Sequence, residues 1–197
     1  MKPYLIVVDD AFESALDLYQ FITEYGVFET VEHDGHKYAG ICRNIPDGTL
    51  DLVRRIPGLR DAKCEMEFIR RNSTNDPVTG WIHADGGIAD TAIVWYLSPD
   101  EFQTGGTALY RHKKTGWEIM PTIAEMEHAG MTIKEVAAML QKDSHTEDAW
   151  ERLFVVPAKF NRIVSYPAKC FHARYPKEGF GTTAQDSRLI YVAFMMR

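Results

Sequence analysis

The chain has 197 residues, of which 45% are hydrophobic, 25% charged and 12% aromatic, with a formal net charge of −6 and a pI near 5.6. Those values describe one soluble globular domain, large enough to bury a core of its own. The acidic balance argues against a nucleic-acid or anionic-membrane partner, each of which needs a clustered basic surface. No run approaches the roughly 18 apolar residues of a membrane helix.

In chain order, the N-terminal YLIVVDD reads as a buried strand. Its apolar run is too short for a secretory signal and ends in Asp9 and Asp10. Cys42, Cys64 and Cys170 are odd in number and far apart, which suits free thiols in a reducing compartment and a cytoplasmic location. Asp10 and Glu13 have capping-box spacing before a helix through ALDLYQFITEY, which Gly26 stops. EHDGHK, with His33 and His36, reads as a polar loop, and TLDLVRRI as a second, shorter helix before Pro57.

From residue 64 the character changes to strands. CEMEFIRRN, WIHAD, TAIVWYL, GGTALYRH, NRIVSYP and RLIYVAFMM are short, rich in β-branched and aromatic residues, and bounded by turn formers. YAGICRNI and RLFVVP are weaker strand candidates. This pattern predicts a mostly β double sheet with flanking helices. Residues 1–63 would form an N-terminal α/β support for a core over 64–197.

Residues 120–150 interrupt the strands as a helical insertion. PTIAEMEHAG and MTIKEVAAML each open with a Thr-x-x-Glu capping box, Thr122 with Glu125 and Thr132 with Glu135. DSHTEDAWERL extends the insertion by a further turn of helix. Ile123, Met126, Ile133, Val136 and Leu140 form its apolar side and require a cover. The insertion would pack on the sheet, close over a substrate, or form an oligomer contact.

The chemistry-bearing stretch is WIHADGG. Residues i and i+2 of a strand share a face, so His83 and Asp85 converge if WIHAD is extended. With a second histidine they make the two-His, one-carboxylate set that leaves coordination positions open on non-haem Fe(II). His33, His36, His112, His128, His145 and His172 remain as sources. His172 follows the strand NRIVSY and Pro167, which places it at a strand edge, whereas His112 is a competitor at the end of GGTALYRH.

The order His83-Ala84-Asp85, Gly105-Gly106-Thr107-Ala108-Leu109, Asn161-Arg162-Ile163-Val164, His172 and Arg188-Leu189-Ile190 resembles the Fe(II)/2-oxoglutarate-dependent oxygenases, in their prolyl-hydroxylase-like branch. The resemblance spans roughly residues 64–197. It implies a double-stranded β-helix, or jelly roll, with Fe(II) on His83, Asp85 and His172. It further implies 2-oxoglutarate and O2 as cosubstrates, release of succinate and CO2, and hydroxylation of a small-molecule, amino-acid or peptidyl substrate. Arg188 would pair with the distal carboxylate of 2-oxoglutarate, because a buried guanidinium needs such a partner. The loop YPKEGFGTTAQDS before Arg188 is longer than in short family members, and Arg174, two residues after His172, competes for that role. Halogenating relatives replace the carboxylate ligand by a small residue, so Asp85 favours hydroxylation. Strand parity adds Arg70 or Asn72 at the C1 carboxylate or keto group of 2-oxoglutarate, and Tyr96 or Trp95 along the pocket. The rival readings are a non-catalytic, cupin-like metal-binding module and a zinc hydrolase. The second leaves Arg188 unexplained and lacks an evident general base.

Overall fold

The computed structural model describes residues 5–33, 36–76, 81–87, 89–102 and 104–196. A seven-stranded antiparallel sheet has the order β1-β8-β5-β10-β4-β3-β2. Its strands are β1 (Ile6–Val8), β2 (Glu29–His33), β3 (His36–Cys42), β4 (Lys63–Asn72), β5 (Thr91–Tyr96), β8 (Ile163–Pro167) and β10 (Arg188–Met196). A second sheet, β7-β6-β9, contains β6 (Gly106–His112), β7 (Trp150–Pro157) and β9 (His172–Tyr175). The two facing sheets form the expected jelly roll. Residues 1–63 supply three strands of the larger sheet: β1 on β8, and β3 with β2 beyond β4.

The central strands are apolar on both faces because both faces are covered. Along β10, Leu189, Tyr191, Ala193 and Met195 pack outward with Ile93 and Trp95 of β5. There they meet Ala15, Leu18 and Ile22 of α1 (Ala15–Tyr25) and Val53 of α2 (Thr49–Val53). The alternate residues Ile190, Val192 and Phe194 face the smaller sheet with Ala92, Val94 and Tyr96. On the far side of that smaller sheet lie α3 (Ile123–His128) and α4 (Ile133–Asp143), whose Met126, Val136 and Leu140 pack on Tyr110, Trp150 and Phe171. Both capping boxes of the insertion form. Ile123 and Ile133, by contrast, stay exposed in the first turns of their helices, so the expected apolar stripe is covered at only three of its five positions.

Four local expectations are corrected. No capping box forms at Asp10: Asp9 and Asp10 are drawn to Arg162 (2.5 Å) and Lys159 (3.2 Å), and α1 begins only after Ser14. EHDGHK is a β2–β3 hairpin rather than a loop; Asp34 and Gly35 at its tip lie outside the described residues. DSHTEDAWERL contains only a short 3-10 turn, Glu147–Ala149, before β7 begins at Trp150. Burial of the Trp150 ring against Phe171 and His112 overrides the local helical preference there. WIHAD is not a continuous strand either, since only His83 forms a bridge, to His172.

Asn161 ties the N-terminal segment to this frame. It adopts φ 58°, a left-handed conformation that asparagine tolerates. Its Oδ1 accepts from the Phe12 amide and the Trp95 indole (both 3.2 Å), while its Nδ2 donates to the Phe12 carbonyl (2.9 Å). Asn161→Ala should destabilise the protein by about 2–4 kcal/mol, the sum of lost buried hydrogen bonds and left-handed strain. Urea unfolding checks this; a loss near zero would mean that the clasp contributes nothing.

Candidate metal centre

His83 and His172 exchange both backbone hydrogen bonds, with the His83 amide donating to the His172 carbonyl (3.0 Å) and the reverse bond at 2.8 Å. The Asp85 amide donates to the Ala168 carbonyl (2.8 Å), which keeps residues 83–85 extended beside the approach to β9. The pairing stops one residue earlier, where the Ile82 amide turns to the Ser144 carbonyl just after α4 (3.1 Å). These bonds deliver the predicted convergence without a full strand. Asp85 Oδ1 lies 3.5 Å from His83 Nε2 and Asp85 Oδ2 lies 3.2 Å from His172 Nε2. All three ligand atoms fall within 4.8 Å of one another.

The histidine Nδ1 atoms stand 2.9 Å from carbonyls, of Trp81 for His83 and of Cys170 for His172. A carbonyl only accepts, so each Nδ1 carries a proton, and each Nε2, once free of its own proton, would offer a lone pair to the shared point. His172 is buried, and its ring packs on Tyr166 with centroids 4.9 Å apart. The His83 side chain is 48% exposed, although it lies deep in the molecule, because it borders a cavity of about 960 Å³. His112, the competing histidine, is fully buried and elsewhere engaged, with Nε2 3.1 Å from Asp143 Oδ2 and Nδ1 2.9 Å from Thr115 Oγ1.

The charges in the triad are strongly coupled. Burial penalises the imidazolium of His172, but the neighbouring Asp85 carboxylate outweighs it and raises the pKa above the ordinary histidine value. Burial and the facing His172 push His83 down. Burial disfavours the Asp85 anion, yet His172 and His83 more than offset this and hold its pKa low. The centre is therefore one anion facing two imidazoles, the donor set that suits a divalent cation.

Arg188 is buried at 7% exposure, and no described acidic residue forms an ion pair with it. Its Nη1 donates to Asn72 Oδ1 (2.9 Å), its Cζ stands 5.6 Å from the Tyr96 ring centre, and its Nε has no hydrogen-bond partner. Tyr96 lies beneath this guanidinium with its hydroxyl 2.6 Å from Thr107 Oγ1, and it does not line the cavity as expected; Trp95 faces the opposite core. Arg70 and Arg174 share the inner face with Arg188 and line the same cavity. Burial, then repulsion from Arg188 and Arg70, draws the Arg174 pKa down to about 10. Its Nε is committed to the Lys177 carbonyl (2.6 Å). Asp186 is held by the amides of Thr182 and Thr183 (2.9 and 2.7 Å).

Sequence reasoning missed Tyr166 and the cavity's outer walls. Val31 and Tyr38 of the unexpected β2–β3 hairpin form one wall, and Leu140, Gln141, Ser144 and His145 of the insertion form a roof. The roof is fastened where it meets the cavity. Asp143 binds His112, and its carbonyl accepts from the Trp150 indole (2.9 Å).

The fold is similar to that of solved 2-oxoglutarate-dependent enzymes. One similar structure is the non-heme alpha ketoglutarate dependent carbocyclase SnoK from nogalamycin biosynthesis, with TM-score 0.54 and 13% identity over 98% of this chain and 79% of that one. Another is the non-heme alpha ketoglutarate dependent epimerase SnoN from the same biosynthesis, with TM-score 0.52 and 12% identity over 98% and 76%. At such identity the likeness concerns the fold. The chain belongs to DUF6445, a family of unknown function, whose model matches residues 82–194. That span contains the triad and Arg188. No curated protein matches the chain in sequence. Among the described residues, no helix is long and apolar enough to cross a membrane.

A metal must displace the proton that Asp85 helps His172 to hold. Protons therefore compete below the raised His172 pKa, and Mn(II) affinity should keep climbing as pH rises past about 6.5, the ordinary imidazole value. Titration by electron paramagnetic resonance between pH 5.5 and 8.5, on the order of a tenfold range or more in affinity, checks this; a plateau already reached at pH 6 would contradict it.

Proposed function

We propose that the protein is an Fe(II)- and 2-oxoglutarate-dependent oxygenase that hydroxylates a small-molecule or amino-acid-type substrate. The observation that carries this reading is one cavity bordered by the open face of the His83–Asp85–His172 triad and by a buried arginine without an acidic partner. The donor set fits Fe(II): His83, Asp85 and His172 would hold it with two imidazole nitrogens and one carboxylate, and all three border the cavity. Arg188 fits the distal carboxylate of 2-oxoglutarate, because its unsatisfied Nε and planar fork match a dianion's end group. Bound there, Fe(II) with 2-oxoglutarate and O2 supplies oxidation of a C–H bond with release of succinate and CO2.

The chain's own residues do the positioning. Asn72 accepts from Arg188 Nη1 and so orients the fork, while the Tyr96 ring lies beneath the same guanidinium. The Trp81 and Cys170 carbonyls fix the tautomers that present Nε2 to the metal. Tyr166 packs on His172 and restricts its ring. Asp85 occupies the position that a halogenating site would leave to chloride, which supports hydroxylation as the outcome.

Anaerobically iron-loaded protein given 2-oxoglutarate and then O2 should form succinate slowly without added substrate, and His83→Ala should abolish this. Arg188→Gln should weaken 2-oxoglutarate binding by at least about 30-fold, the effect of removing one partner of a buried charge pair. Mass spectrometry of succinate and calorimetry with N-oxalylglycine read the two effects. Metal binding without succinate or N-oxalylglycine affinity would instead describe a cupin-like binding module.

A further inference from the structure

Arg70 differs from Arg188 in the direction of its surroundings. It lies on the inner face of β4 opposite Ile190, one step along the strand from the Asn72–Arg188 pair. Its guanidinium stands over the Tyr38 ring, with Cζ 5.7 Å from the centre, and Tyr38 belongs to the β2–β3 wall rather than to the pair that cradles Arg188. Its Nε is buried without a hydrogen-bond partner, and it forms no ion pair with a described acidic residue. Charged groups that act on it are Arg188 nearby and, with opposite sign, Asp76 and Asp85. Asp76 accepts from the Ser73 amide (2.7 Å), and Asp85 faces the histidines.

The neighbouring wall is apolar. Met66 and Phe68 precede Arg70 on the same face, and Val192 and Phe194 lie opposite them on β10. At about 960 Å³ the cavity is at the upper end of the range for small-molecule sites, so a five-carbon dicarboxylate leaves most of it free. Once Arg188 is paired, a second, half-buried guanidinium with a buried unsatisfied Nε is left facing the cavity without an ion pair among the described residues.

Resting on the oxygenase reading above, we propose that Arg70 anchors a carboxylate of the prime substrate, whose apolar body lies along Met66, Phe68, Val192 and Phe194. The sequence alone offered Arg70 or Asn72 for the C1 carboxylate or keto group of 2-oxoglutarate; the seat of Arg70 over Tyr38 supports the substrate role for Arg70. A carboxylate is favoured over a phosphate because one planar fork satisfies it bidentately.

The test uses the 197-residue chain loaded with Mn(II) and 2-oxoglutarate and titrated calorimetrically with octanoate, octanamide and octyl phosphate as probes. Octanoate should bind at least about tenfold more tightly than octanamide. Arg70→Gln should remove that preference, Arg70→Lys should retain part of it, and 2-oxoglutarate affinity should stay within about twofold in both. Normal 2-oxoglutarate binding with equal affinities for octanoate and octanamide overturns this proposal alone. So does a tenfold preference for octyl phosphate, or an Arg70→Gln loss of 2-oxoglutarate affinity matching that of Arg188→Gln. Failure of the wild type to bind 2-oxoglutarate overturns the oxygenase reading and this one with it. The octanoate–octanamide comparison needs only wild-type protein, so the outcome stands even if a variant folds poorly.

Discussion

The two backbone hydrogen bonds between His83 and His172 are the constraint on which the site depends. They join a segment before β5 to the first residue of β9, and they bring two imidazoles to a centroid separation of 4.5 Å. Without this contact His83 and Asp85 would lack the second histidine. Extended geometry over three residues is enough, because a period of two needs only one intervening residue to return a side chain to the same face. The Trp81 and Cys170 carbonyls then finish the task by choosing which nitrogen faces inward.

The second physical theme is uncompensated positive charge. Arg70, Arg174 and Arg188 converge on a space that Glu32, Glu67 and Asp85 also line, yet none of the three arginines forms an ion pair with a described acid. A buried guanidinium without an anion costs several kcal/mol of desolvation and persists only where function or a ligand repays it. Asn72, Tyr96 and Tyr38 soften that cost with an amide oxygen and two π faces. None of these neutralises it.

Much of this was legible in the sequence, for identifiable reasons. The inner-face parity of Arg188 with Ile190, Val192 and Phe194, and of Arg70 and Asn72 with Met66 and Phe68, follows from strict alternation along buried strands, and the structure reproduces it. The capping boxes at Thr122 and Thr132 are local motifs and form as read. The misses occurred where distant contacts decide the outcome. Asp10 left its helix for Lys159, Trp150 turned a helical stretch into β7 by stacking on Phe171, and β2 is an exposed edge strand with one partly buried residue, Val31. The sequence left Tyr96 and Trp95 as alternatives for the pocket wall; Tyr96 takes the inner face but lies behind the cavity surface, because parity fixes the side of a sheet and says nothing of what stands in front.

The fastening of α4 bears on how a substrate reaches the metal. His112, at 0% exposure, grips Asp143 at the end of the helix that overhangs the cavity, and the Trp150 indole holds the carbonyl of the same residue. Ser144 is bound in turn through its carbonyl to Ile82, one residue from a metal ligand. Lifting this end would break the network that supports His83, whereas the β2–β3 hairpin walls the cavity from the last strands of the larger sheet. The cavity is thus closed by two unlike parts: a roof tied by hydrogen bonds to the backbone beside His83, and a wall contributed by the N-terminal third of the chain.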